Sequence, residues 1–505
     1  MCVIVHYLSV GSVRKSKRKL SMSVAVDVAM PVYKDAVVIG NGPSAITLSY
    51  MLAGNWPYYN GSSHPVDFLH YRLQDNIDKS LVEQDLRYLS EGLEGRSNNP
   101  VSLLFDVLNH PEADLGVDNP SLLSWCHEPW REIDHVVLGK GLPGGAWHKM
   151  EGSILTISLG SWMELPNLSI REWDMARTRG RASLSILRQK RVTVSSVGKY
   201  YRDYVAIQGL SKYFLDNTNI TSVKLLRDHE CITENEDCHE KLLWQVEGVR
   251  TTQRWDTKEV FEENLSFVTP NVILAMGNSD LPNKLGVPGE GFPFVLHSLA
   301  QLENLIRCGA LAASSRDLLV VGAGLSAADA IIAARFHGIS VIHVFRRSVD
   351  DPQLIFNKLP TNMYPEYHKV HQMMHDTNGE LYEGYKAYSE HTIQKILSDG
   401  CVVLSSRGQV DKISTVCVSY VLVLIGMHSD LSILPFDETT LGIHQNKPLD
   451  SRTNPINIDL ISHESTTYPG IYALGPLVGD NFVRFVQGGA LAITNSIYHK
   501  RLKSS

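Results

Sequence analysis

The same short construction occurs twice in this chain, and it limits the fold more than any other feature. In stretch 36–49, AVVIGNGPSAITLS, the β-branched run Ala36 to Ile39 leads directly into Gly40-Asn41-Gly42-Pro43-Ser44-Ala45 and then into residues of helical period. Stretch 318–330, LLVVGAGLSAADA, repeats it with Gly322, Gly324, Ser326 and Ala327 at the same offsets. A strand, a glycine turn and a helix in this order form the dinucleotide-binding unit of a doubly wound sheet. The first glycine (Gly40, Gly322) permits the tight turn, the second (Gly42, Gly324) lets the backbone approach a pyrophosphate on the helix N-terminus, and the small Ala45 or Ala327 lets helix and strand pack closely. One such motif is weak evidence. Two imply an α/β protein with two Rossmann-like domains and two bound dinucleotides.

Composition narrows the remaining classes. The chain has 505 residues, enough for two or three domains, and a formal charge of −7 that gives no reason to expect nucleic acid as the main partner. Its seven cysteines are scattered, with no CxxC, which argues for a reducing, intracellular setting and against a disulfide framework or a metal site. The same scatter argues against a disulfide reductase, because no close cysteine pair follows the first fingerprint. No run reaches the length of a membrane span, and the apolar segment 416–426 reads as a buried strand. Residues 1–32 form a basic extension with Arg14, Lys15, Lys17, Arg18 and Lys19 and no acid before Asp27. That is the composition of a mitochondrial presequence or a nuclear signal on a cytoplasmic protein, and equally of a solvated tail.

Along the chain, the first helix should end near Ala53-Gly54, where Asn55-Trp56-Pro57 breaks it. Two runs compete to be the next strand of the sheet, Val66–Leu69 and His135–Leu138. The second is favoured because Gly139 to Trp147, GKGLPGGAW, follows it at once. Val197–Tyr204 has helical period, and Tyr200, Tyr201 and Tyr204 read as packing residues. From Ile220 to Gly277 an alternating pattern over Thr221–Leu226, Lys241–Glu247 and Phe261–Val268 predicts an antiparallel meander. After the second fingerprint, the β-rich run Ile339–Phe345 ends in Arg346-Arg347, where an acid would select NAD. Arginine there pairs with the 2′-phosphate of NADPH. Met363, Met373 and Met374 read as gap-fillers.

Gly144-Gly145-Ala146-Trp147 after a strand resembles the GGxW element of flavin-containing, Baeyer–Villiger and N-hydroxylating amine monooxygenases, where it lies against FAD. On that resemblance residues 55–133 are an insertion. The strand before the element would end in an acid for the adenosine ribose, and Gly139 stands there. The position of an asparagine beside the flavin falls near Leu159 or Gly160. Val272–Gly277 is similar to the strand end that closes this class of FAD domain, with Gly277 at the cofactor. His297-Ser298 takes the place of a His-Ser pair and makes His297 the one catalytic candidate. Tyr420–Gly426 is read as a strand of the returning flavin domain. Gly475 followed by Asp480 resembles the terminal FAD motif, whose aspartate binds the ribityl chain.

The order of these motifs, with the GNGPSA opening and the LPGGAWHKM and SWMELPNL segments, is most similar to the oxidative stress-induced growth inhibitor family. The resemblance implies an FAD-binding domain over 33–290, an NADPH-binding domain over 291–410 and an FAD-domain return over 411–505. It also implies NADPH-dependent monooxygenase chemistry through a flavin C4a-hydroperoxide, on a small-molecule or side-chain substrate plus O2. A role in growth and cell-death regulation with protein partners belongs to the same implication. An uncoupled NADPH oxidase releasing peroxide and a low-turnover nucleotide-binding regulator are the alternatives.

Overall fold

The computed structural model describes residues 30–178, 191–226, 242–254, 258–407 and 413–504. The basic stretch 14–19, with Cys2, Cys231 and Cys238, lies outside the described residues.

Each fingerprint strand is the central member of its own five-stranded parallel sheet. The first sheet runs Ile471–Ala473, Val272–Leu274, Ala36–Ile39, His135–Leu138, Phe214–Leu215. The second runs Val295–Leu296, Tyr420–Val423, Leu318–Val321, Val341–Phe345, Tyr385–Ser389. The central strands are buried throughout, as expected of short apolar runs covered on both faces. An antiparallel meander accompanies each sheet: Thr218–Leu226, Leu243–Gln253 and Val260–Thr269 in the first unit, and His391–Ile396, Cys401–Ser406 and Ile413–Cys417 in the second.

His135–Leu138 pairs in parallel with Ala36–Ile39, whereas the competing Val66–Leu69 opens into a helix, Asp67–Gln74. The intervening segment builds its own layer. Asn55–Tyr59, which reads as a helix breaker, is a strand paired with Leu123–His127, and the helix Pro100–Asn109 packs on the long C-terminal helix Val483–Ser504. Tyr200, Tyr201 and Tyr204 are fully buried on the helix Val194–Ile207. Their hydroxyls donate to the carbonyls of Leu168, Met163 and Pro166, so these packing residues also pin the SWMELPNL segment.

Two expectations need correction. Tyr420–Gly426 does not belong to the returning flavin segment, because Tyr420–Val423 hydrogen-bonds to Leu318–Val321 inside the second sheet. That places it on the far side of the expected boundary at residue 411. It is the second unit's counterpart of Val272–Gly277, and a glycine-ended apolar strand looks the same in either unit. The cysteines are also not all unpaired: Cys401 and Cys417, 16 residues apart, are opposite one another on adjacent antiparallel strands and form a disulfide. Spacing along the chain does not reveal a cross-strand partner, so the scatter of cysteines carries no argument about redox surroundings.

The two units are joined by Leu281–Pro282 and Met427–His428, which pair antiparallel as a two-stranded ribbon. Elsewhere Arg191, 7% exposed, donates from Nη1 to the Met363 carbonyl at 2.9 Å and pairs with Glu366 at 2.8 Å, while the Tyr364 hydroxyl donates to the Ile157 carbonyl. Tyr367, Met373 and Met374 fill the core behind that contact.

Candidate functional site

The two glycine turns repeat one another in physical detail. Gly40 has φ +109° and Gly322 φ +127°, and a Cβ on either would meet a carbonyl of the neighbouring strand, Ala275 O at 2.3 Å and Leu424 O at 2.2 Å. These glycines are required by the backbone. Gly42 and Gly324 are the N-caps of the helices Pro43–Leu52 and Leu325–Phe336, with ordinary negative φ, and a Cβ on either would meet nothing within 4 Å. Packing therefore does not explain the second glycine in either turn. Open space in front of free helix N–H groups fits a pyrophosphate. Ala45 and Ala327 are buried where helix meets strand, Pro43 starts its helix, and Ser326 is exposed on the first turn of the other.

The other residues singled out by the resemblance for the first nucleotide gather on the first turn. The Gly144 N–H donates to the Asn41 carbonyl at 2.8 Å, and the Cβ position of Gly145 is 3.4 Å from the Gly42 Cα. Trp147 stands edge-on to Tyr201, ring centroids 6.0 Å apart. A Cβ on Gly475 would meet the Ser44 Oγ at 2.5 Å, which places the terminal motif against the same helix, and Gly277 at φ +70° faces open space. Past Gly277 and Gly475 opens a cavity of about 210 Å³ bordered by Asn278, His428, Ser451 and Leu477.

Asp480 is 2% exposed, and its oxygens accept from Ser97 Oγ at 2.6 Å, Asn99 Nδ2 at 2.8 Å and Ser102 Oγ at 2.7 Å. Burial pushes its pKa up to about 6, against the pull of those donors. The carboxylate is thus held by the inserted segment. One turn on, Arg484 is 1% exposed, pairs with Asp106 at 3.2 Å and with Asp114, and lies 4.5 Å from the Trp162 ring centroid. Among the described residues, Arg484 Nη1 and Gln487 Oε1 are buried without hydrogen-bond partners in the first turns of the C-terminal helix. Orphaned polar atoms there fit the polar edge of a flavin ring.

In the second unit Arg346 is exposed at the end of Val341–Phe345, while Arg347 donates to Gln353 at 2.9 Å and approaches Asp351 at 3.4 Å. A further guanidinium arrives from the meander: Arg407 Nη1 is 3.4 Å from the Arg346 carbonyl. His343, wholly buried, bonds the Gly322 carbonyl at 2.6 Å and the Tyr385 hydroxyl at 2.8 Å. Burial lowers its pKa to about 4, so it supports the turn as a neutral ring. His297 bonds Glu290 at 3.1 Å, and Glu290 in turn accepts from the Leu285 and Gly286 N–H groups. Its ring is thus engaged in securing the linker.

Ser97, Asn99, Ser102, Arg407 and Arg484 escape a motif-based reading, because each acts on a partner far away in sequence. Asn41 lies inside the fingerprint at a position where no residue type is demanded. Among the described residues no group of His, Cys, Asp or Glu is arranged to hold a metal, and no helix is long and apolar enough to cross a membrane.

Comparison with known proteins gives the same architecture. The model of the pyridine nucleotide-disulphide oxidoreductase family matches residues 187–475. Mouse oxidative stress-induced growth inhibitor 1 is 46% identical over 92% of this chain and 95% of its own length. Human oxidative stress-induced growth inhibitor 2 is 44% identical over 92% of this chain and 94% of its own. Among solved structures, bacillithiol disulfide reductase from Bacillus cereus matches with a TM-score of 0.55 at 14% identity, covering 93% of this chain and 99% of that one. L-lysine 6-monooxygenase from Pseudomonas syringae matches with a TM-score of 0.52 at 15% identity, covering 92% and 99%. At such identities these structures share the fold alone. The chain therefore belongs to the oxidative stress-induced growth inhibitor family and, over residues 187–475, to the pyridine nucleotide-disulphide oxidoreductase family.

Proposed function

We propose that the protein is an FAD-dependent, NADPH-using monooxygenase-like oxidoreductase, in which one atom of O2 is transferred to a small-molecule or side-chain substrate. The observation that carries this reading is the pair of glycine turns, each with its second glycine facing empty space at a helix N-terminus. FAD would lie on Gly42, Gly145 and Gly277, and NADPH on Gly324 with its 2′-phosphate at Arg346. FAD would supply hydride acceptance and oxygen activation. The balanced reaction consumes NADPH, a proton, O2 and substrate, and yields NADP+, water and the oxygenated product. The protein's part is to orient the two nucleotides and to exclude water. Disulfide reduction is less favoured, because the disulfide Cys401–Cys417 sits in the second unit's meander, away from the first glycine turn.

An absorbance spectrum followed by anaerobic NADPH addition tests the proposal. Visible flavin bands that bleach with NADPH and return with air are expected, and Gly42→Trp, whose side chain would enter the open space, should be colourless yet folded. Protein that stays colourless with excess FAD, or holds flavin that NADPH does not reduce, would sink the enzyme reading. Peroxide release equal to NADPH consumed would instead support the oxidase reading, which Leu159 and Gly160 favour by offering no side-chain donor. Action in growth regulation under oxidative stress is proposed on the names of the relatives.

A further inference from the structure

The strand His135–Leu138 ends in Gly139, where a dinucleotide fold ordinarily places the acid that binds the adenosine ribose. No side chain fits there while Asn41 keeps its place: a Cβ on Gly139 would be 2.0 Å from Asn41 Nδ2. The adjoining Lys140 offers no acceptor, and it pairs with Asp280 at 3.3 Å. A ribose bound at this end of the sheet therefore needs its acceptor from another element.

The neighbouring strand supplies one in the same register. Val137 pairs with Phe214 and Leu138 with Leu215, so the next step places Asp216 beside Gly139. The ladder continues past that point, because the Gly139 N–H donates to the Leu215 carbonyl at 3.1 Å and the Thr218 N–H to the Gly139 carbonyl at 2.8 Å. Asp216 Oδ1 is buried and, among the described residues, has no donor at hydrogen-bond geometry, the Asn41 amide being the polar side chain beside this carboxyl. Burial pushes this carboxyl's pKa up, opposed by the Asn41 amide and by the charges of Arg250 and His148. Asn41 thus stands between the pyrophosphate turn and Asp216, with its Nδ2 held on the Gly141 carbonyl at 2.6 Å. A buried carboxylate oxygen lacking a donor calls for one, and the hydroxyls of a ribose are donors.

We infer that Asp216, one strand across from the usual position, accepts the ribose hydroxyls of the FAD adenosine, and that Asn41 takes the room that a side chain at Gly139 would need. The inference rests on the FAD reading above. It assigns the ribose contact to a residue that follows the third strand of the sheet, and it makes Gly139 a consequence of Asn41.

The test is flavin binding by the full chain, with FAD and FMN as probes and flavin fluorescence as the readout. Only FAD carries the adenosine. Asp216→Ala should weaken FAD by roughly tenfold or more and leave FMN unchanged; Asp216→Asn, which keeps the shape and one acceptor, should fall between. Lys140→Ala serves as the neutral control. Equal loss for FAD and FMN, or no loss for either, in an Asp216→Asn protein that melts like wild type would overturn the inference alone. Wild-type protein that binds neither flavin would overturn the FAD reading, and this inference with it.

Discussion

Gly40 and Gly42 are two residues apart, yet the same added methyl group should do different things to them. At Gly40 it meets Ala275 O at 2.3 Å in a backbone with φ +109°, so Gly40→Ala should cost at least about 1 kcal/mol from left-handed strain alone. Its melting temperature should fall. Gly42→Ala puts the methyl into open space, so it should melt normally while losing flavin, measured as the absorbance ratio of purified protein. Asp480 allows a prediction in pH. Its pKa is raised in the fold, to about 6 from 3.8, so the stability it adds is fully present below pH 3.8 and is lost as pH rises through about 6. Relative to Asp480→Asn, the wild type should therefore lose roughly 2–3 kcal/mol between pH 4 and pH 7, measured by denaturant unfolding of flavin-free protein. A difference that stays flat with pH would remove the argument. The glycines were readable from sequence because their demands are local. The donors that hold Asp480 were not, because Ser97, Asn99 and Ser102 precede it by 378 to 383 residues.

Among elements, the inserted segment 55–133 has the least obvious role in the sequence and a clear one in the structure. It lies against the C-terminal helix, where Asn495 Nδ2 donates to the Val82 and Gln84 carbonyls at 2.9 and 3.0 Å. It also supplies Asp106 and Asp114 to Arg484, the second residue of that helix. Arg484→Met should leave Asp106 buried with only the His110 ring, at 3.4 Å, opposite it and cost about 3 kcal/mol or more in unfolding free energy. The loss should be recovered in part by Arg484→Met combined with Asp106→Asn. Asn55–Tyr59 shows why this layer was illegible: Pro57 reads as a breaker, and the strand exists only because Leu123–His127, far along the chain, pairs with it. The helix Val194–Ile207 was legible because its apolar period is contained within it.

At the scale of the whole molecule, two copies of one sheet plan are joined at the ribbon and again at Arg191. Two sheets of one plan were legible in the paired fingerprints. Where the chain leaves one domain for the other was not, since Tyr420–Gly426 and Val272–Gly277 have the same local character and only pairing assigns them. Arg191→Ala removes the contacts to Met363 and Glu366, and small-angle scattering should then show a larger radius of gyration with each unit still folded. An unchanged radius would mean that the Tyr364–Ile157 contact and the cores suffice to keep the units together.

Both crossings of the chain between the units run side by side, as Leu281–Pro282 and Met427–His428. The protein is bound like a book, with one spine and a clasp at Arg191. Motion about that spine is described by one angle, which on the function proposed above would set the separation of the two nucleotides. One distance measured between the covers, by a pair of spin labels, would then report how open the book is at every stage of turnover.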